Sequence, residues 1–225
     1  LLIGIGLIWH IQSNQISLKN IASGKFSENP ERSQYLKIAI IMLISITCMA
    51  FVFHILQTSL PKTIDIRLSA NMDLSTSEIG YIVAAIYVVS GLMNYVGGIL
   101  ADKFSEKIIY AIGIIGQGCL LLLIISLANY WLIAICLLIV AFNSSILPAE
   151  NLLLARFAPE KYQSLVYGIK FIIAFSIGPI ALVLISKSYE LTNEFSYLYL
   201  ALGIMMLCLF IIILTLPVKK QALAA

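Results

Sequence analysis

Gly97-Gly98-Ile99-Leu100-Ala101-Asp102-Lys103-Phe104 closes an apolar run with two glycines, then sets an acid and a base side by side at its exit. The run behind it, about 79–101, has the roughly 20 apolar residues needed to cross a bilayer core about 30 Å thick. Further runs of membrane length lie at about 38–60, 107–128, 130–155, 163–186 and 195–217. Only 11% of the 225 residues are charged and 61% are hydrophobic, whereas a soluble domain carries roughly 25% charged residues. Backbone polar groups in hydrocarbon must pair within the protein, and runs this long do so as helices rather than barrel strands. The expected fold class is an all-α, polytopic membrane helix bundle with six complete spans.

The apolar Leu1–Gln12 would rise only about 18 Å as a helix. It lacks an initiator Met and a basic leader, and is expected to be the end of a truncated transmembrane helix. Residues 13–37 are rich in Ser, Asn, Gln and charge and read as an interdomain loop. Residues 38–217 then form the six-helix domain and 218–225 a tail. Orientation follows from the basic residues. Lys19, Lys25, Arg32, Lys37, Lys103, Lys107, Arg156, Lys161, Lys219 and Lys220 all fall on one side of an alternating six-span arrangement. The other side has Lys62, Arg67 and Lys187, balanced by Asp65, Asp73, Glu78, Glu190 and Glu194. Both ends of the six-span unit are therefore expected in the cytoplasm, in a cell membrane. This sidedness accounts for the net charge of +3 without a nucleic-acid partner.

Pro61, Pro159 and Pro217 are placed at span ends, and Pro148 and Pro179 inside spans, where they bend helices. Cys48, Cys119, Cys136 and Cys208 read as four buried thiols rather than a disulfide framework or metal site. No cofactor is implied.

Gly98, Leu100, Ala101, Asp102 and Lys103, followed by Lys107, resemble the cytoplasmic-loop motif of the major facilitator superfamily. That motif reads glycine, any residue, leucine, alanine, aspartate, basic, apolar, glycine, then two basic residues. Here Ser105 stands at its second glycine and Glu106 at the first of the two bases. The chain thus resembles the superfamily's C-terminal half, helices seven to twelve. The segment from Pro148-Ala149-Glu150-Asn151 to Arg156-Phe157-Ala158-Pro159 is similar to the end of helix ten. Gly178-Pro179 is similar to the glycine-proline of the antiporter motif, which belongs to helix five. The resemblance implies secondary transport of a small solute by alternating access, two halves rocking about a central site. It also implies the lipid bilayer, a small-molecule substrate, protons and the N-terminal half of the same polypeptide as partners.

Two groups of residues are candidates for the chemistry. At the cytoplasmic ends of the second and fourth spans, Gly98, Asp102, Lys103 and Arg156 are expected to form a gate, with Asp102 and Arg156 meeting in one orientation and parting in the other. Arg156 also reads simply as a positive-inside marker. Deeper, His54, Gln57, Asn143, Glu150 and Lys170 are candidates for the substrate or proton pathway. Glu150 and Lys170 fall at about 10 and 7 Å from the midpoints of adjacent spans, so they are placed to pair across a hairpin or to line a vestibule. Local pairing with Arg156 and snorkelling to the headgroups are the competing readings. His54 shares a face with Thr47, Phe51 and Thr58, and is either a proton carrier or a hydrogen bond to a neighbouring helix. Asn94 and Gln117 read as interhelical hydrogen bonds, and Gly113, Gly116 and Gly118 as packing contacts.

An enzyme is not expected, since no nucleophile turn, HExxH helix or glycine-rich phosphate loop occurs. A secondary transporter is the leading function, and a six-span membrane scaffold or sensor without transport activity is the alternative.

Overall fold

The computed structural model describes residues 32–69, 74–158 and 162–216. The readings of 1–12, of 13–31, of Asp73, Pro159, Lys161 and Pro217, and of the 218–225 tail lie outside them. Among the described residues the order is α1 (Arg32–Ser69), α2 (Thr76–Lys103), α3 (Glu106–Leu123), a 3-10 turn (Ile124–Ser126), α4 (Trp131–Phe157), α5 (Gln163–Thr192) and α6 (Ser196–Leu214), with no strand. All six α-helices are long and apolar enough to cross a membrane. The end of the bundle where α1, α3 and α5 begin and α2, α4 and α6 finish is termed the entry end below.

The largest departure from the hydropathy reading is α1. Its 38 residues would extend about 57 Å at 1.5 Å per residue, and Pro61, expected at a span end, lies inside the helix. Tertiary contacts carry the helix past the proline. The Tyr199 hydroxyl on α6 bonds both Ser59 (2.9 Å) and Thr63, one on each side of Pro61, and Ile64 and Leu68 beyond it are fully buried. Pro148 and Pro179 lie inside α4 and α5 as expected. Helix ends elsewhere obey local rules. Ser75 and Glu78 form a capping box at the start of α2, the Ser75 N–H donating to Glu78 Oε2 at 2.8 Å. Asn193 ends α5 in the left-handed region (φ 54°), its N–H returning to Tyr189 O at 2.8 Å.

Helix α4 packs along both α2 and α3, and α3 along α6. Glycine sets the α2–α4 separation: a Cβ on Gly97 would overlap the backbone of Ser145. Ser90 and Ser144 hydrogen-bond across the same seam. The glycines expected to pack do so: Gly113 faces Ile146, Gly116 faces Phe142, and Gly118 meets Met206 and Gly203 on α6. Of the cysteines only Cys136 is buried. Cys48 is half-buried, and Cys119 and Cys208 are exposed on helix surfaces, correcting the expectation of four buried thiols. A thiol on the bundle's outside costs little where the surroundings are hydrocarbon.

Arg67, read as a surface charge, is buried at the far end. Its guanidinium donates to the carbonyls of Ile124 and Leu127 (3.2 Å) after α3 and to Ser196 Oγ on α6 (3.0 Å), with Glu194 at 3.5 Å. One planar group thus ties α1, the 3-10 turn and α6 together, a fork that lysine cannot reproduce. Arg67→Met strands buried carbonyls at about 1–3 kcal/mol each, so the thermal inactivation midpoint in detergent should fall by several degrees, and Arg67→Lys should recover little of it. Along α2, Gly97→Leu should abolish accumulation of folded protein. Gly98→Ala should be tolerated, because nothing lies within 4 Å of a Cβ there; fluorescence-detected size exclusion separates the two outcomes.

Candidate functional site

Helices in a bilayer leave few places for charge, and α4 and α5 share one. Asn143 and Glu150 lie two turns apart on the buried face of α4. Glu150 is 1% exposed and Lys170, on α5, 9%. Lys170 Nζ stands 3.2 Å from Glu150 Oε1 and donates to Asn151 Oδ1 at 2.6 Å. The contact with Glu150 is an ion pair without hydrogen-bond alignment, and Glu150 Oε1 has no hydrogen-bond partner among the described residues. Of the two readings for Lys170, pairing across the hairpin is the one realised. Tyr167, one turn earlier on α5, donates to the Asn151 carbonyl at 2.8 Å, so α4 and α5 meet through Glu150 and Asn151 on one side and Tyr167 and Lys170 on the other.

His54 joins the same stripe of α5. Its Nε2 donates to the Ala174 carbonyl at 2.9 Å, and a Cβ on Gly178 would touch its ring at 3.3 Å. Lys170, Ala174 and Gly178 follow one another at four-residue spacing, so His54 and Glu150 engage one face of α5 within about 12 Å along its axis. The interhelical hydrogen bond is thus the reading of His54 that the geometry contains. Gln57 and Thr58 are exposed and Thr47 bonds its own helix at Leu43 O, so the polar face expected on α1 narrows to His54. Asn143 is 5% exposed and its Nδ2 is unpaired among the described residues. Gln117 on α3, expected in an interhelical hydrogen bond, is fully buried with neither amide atom paired among the described residues, while Asn94 is exposed.

At the entry end, Arg156 Nη1 bonds Glu106 Oε2 at 2.9 Å, bridging the last turn of α4 to the first turn of α3. Asp102 and Lys103 are exposed at the end of α2, and Gly98 is half-buried beside open space. In this orientation the carboxylate partner of Arg156 is Glu106 rather than Asp102. An acid in the first turn is also where the α3 dipole favours one. Sequence reasoning passed over Glu106 as a departure from the loop motif, although a carboxylate in place of a base beside Arg156 is a charge signal. Lys107, read from the sequence as part of the loop motif and as an inner-side base, donates its Nζ to the carbonyls of Leu214 (2.8 Å) and Leu216 at the end of α6, a contact that the motif does not imply. Among the described residues, no group of three or more His, Cys, Asp and Glu side chains is placed to hold a metal.

The geometry therefore comprises six membrane-length helices, a buried acid–base pair between two of them and an ionic bridge at one mouth. A comparison with curated proteins finds no match. The family model for the Major Facilitator Superfamily matches residues 38–224, a stretch that contains the pair, the bridge and the Gly97–Lys103 exit, and the chain belongs to that superfamily as a multi-pass membrane transporter of the major facilitator type.

Proposed function

We propose that this chain forms the C-terminal half of a proton-coupled secondary transporter that carries a small solute by alternating access, its entry end facing the cytoplasm. The buried Glu150–Lys170 pair is the observation that carries this reading. Placing each charge within a membrane helix costs about 3 kcal/mol on insertion scales, and apolar side chains of like size would replace such a pair with no loss of stability or with a gain. Stability alone therefore does not call for it, whereas a carrier needs a protonatable group that water reaches in turn from each side. Glu150 is assigned the proton, Lys170 the balancing charge, and His54, Asn143 and the neighbouring Gln57 the polar wall of the path.

The N-terminal half of the same polypeptide forms the opposite wall in this reading. Its support is the uneven covering of the helices: the apolar windows of α2 and α5 are each 17% buried, against 50% for α1. The Arg156–Glu106 bridge, with Gly98, Asp102 and Lys103 on the adjoining hairpin, is assigned to the cytoplasmic gate. Its ions re-pair as the halves rock, Asp102 being the second carboxylate within the hairpin that Arg156 approaches.

In proteoliposomes carrying the complete polypeptide, an imposed pH gradient should drive saturable uptake or efflux of at least one class among sugars, organic acids, amino acids and antibiotics. Flux without proton movement would reduce the reading to a uniporter, and no flux by folded protein would favour the scaffold. At the gate, Arg156→Gln or Glu106→Gln should slow flux about tenfold, about 1.4 kcal/mol. The exchange Glu106→Arg with Arg156→Glu should restore most of it, and failure of that rescue would remove the bridge from the gate.

A further inference from the structure

An apolar cavity of about 460 Å³ opens at the entry end, between α1, α4 and α5. Ile38, Met42 and Ile46 line it from α1, Leu154 from α4, and Val166 and Ile169 from α5. Its size falls in the range that holds a drug-sized molecule. Glu150 lies one turn from Leu154, and Lys170 lies next to Ile169 and one turn from Val166. The ion pair therefore stands about 6 Å or less along α4 and α5 from the lining residues, toward the membrane interior. The cavity supplies an apolar wall and the pair supplies charge at its deep end.

Resting on the carrier reading above, we infer that the substrate class is an amphipathic organic anion, its apolar body in this cavity and its anionic head on Lys170, taken up together with one proton on Glu150. Three observations select an anion over a cation. Lys170 is the more accessible partner, its side chain 11% exposed against 2% for Glu150. It also follows Ile169, a cavity-lining residue, directly along α5. Charge balance decides the rest. The empty pair is neutral; an anion on Lys170 leaves it at minus one unless Glu150 takes a proton, which restores neutrality and frees the ammonium from Glu150. The proton comes from hydronium in the water that reaches the site: one of its O–H bonds breaks as the carboxyl O–H of Glu150 forms, water is left behind, and Lys170 keeps its proton and its bond to Asn151. A cation would instead leave the site at plus one, at the cost that membrane burial places on an uncompensated charge. The charged and titratable groups beside Glu150 are Lys170 on α5 and, within electrostatic range, Tyr110 on α3 and Tyr167 on α5. The Tyr110 hydroxyl is already bonded to Ser45 on α1 and Tyr167 to the Asn151 carbonyl, which leaves Glu150 as the group to take the proton.

Naphthalene-2-sulfonate tests this directly, because it stays ionised and does not cross lipid unaided; its quaternary trimethylammonium counterpart serves as the cationic probe. With the complete polypeptide in weakly buffered nanodiscs, sulfonate binding should take up about one proton per anion. In Glu150→Gln, binding should persist with no proton uptake. Lys170→Met should weaken binding at least tenfold, and Lys170→Arg should recover part of it. The double variant Glu150→Gln with Lys170→Met removes both charges, so it folds without a stranded ion, and it should bind no sulfonate. Preference for the cationic probe, or sulfonate binding without proton uptake in the parent protein, overturns the inference. So does failure of the sulfonate to bind while another solute is transported, which leaves the carrier reading standing. Absence of flux for every solute class tested overturns both.

Discussion

A polar group in hydrocarbon has no water to fall back on, and this constraint shapes each seam of the bundle. Short hydroxyl side chains reach across the interfaces: Ser45 to Tyr110 joins α1 and α3, Ser59 and Thr63 to Tyr199 join α1 and α6, and Ser90 to Ser144 joins α2 and α4. Each bond is worth only about 1 kcal/mol in a membrane, so together they set register more than they supply adhesion. Adhesion comes from close backbone approach, as at Gly97 against Ser145 and Gly118 against Gly203. Arg67 at the far end and Lys107 at the entry end reach backbone carbonyls and satisfy acceptors that helix ends leave open.

Against that background the α4–α5 interface is different in kind. Helix α5 is little buried, and it meets its neighbours through Lys170 on Glu150 and Asn151, Tyr167 on Asn151 and the Ala174 carbonyl on His54. Polar contacts of this sort can exchange partners, whereas a glycine seam has to separate before it can move. Pro148 and Pro179 add to the contrast, because each removes the N–H that would bond the carbonyl four residues earlier, at Ser144 and Phe175. The bundle thus combines an interlocked set of helices around α4 with one helix held by exchangeable bonds, an arrangement suited to a carrier that must change shape.

Much of this was legible in the sequence, and the parts that were not have identifiable causes. Hydropathy located all six helices but misjudged the end of α1, because Pro61 is a local signal and Tyr199, 138 positions later, overrides it. Glu150 and Lys170 were legible as a pair because adjacent spans placed them at similar depth. Arg67 and Lys107 were not, since a basic residue near a span end looks the same whether it faces water or backbone carbonyls. Gly98 drew attention through the loop motif, yet Gly97 makes the close approach. The buried positions Ile79, Ile86, Ser90, Gly97 and Ala101 step by seven, four, seven and four along α2, and that phase would have selected Gly97 from the sequence. Whether His54 carries a proton or only a hydrogen bond is not written in its spacing, because both roles put it on the same face.

The central claim is that Glu150 couples solute movement to protons. Comparing solute counterflow with uphill accumulation in proteoliposomes of the Glu150→Gln variant tests it most directly. Exchange of labelled for unlabelled solute requires only the site and the conformational change, while accumulation requires the proton. The account predicts that counterflow persists and gradient-driven accumulation is lost. Accumulation at the parent level in that variant would contradict it and move the coupling group elsewhere.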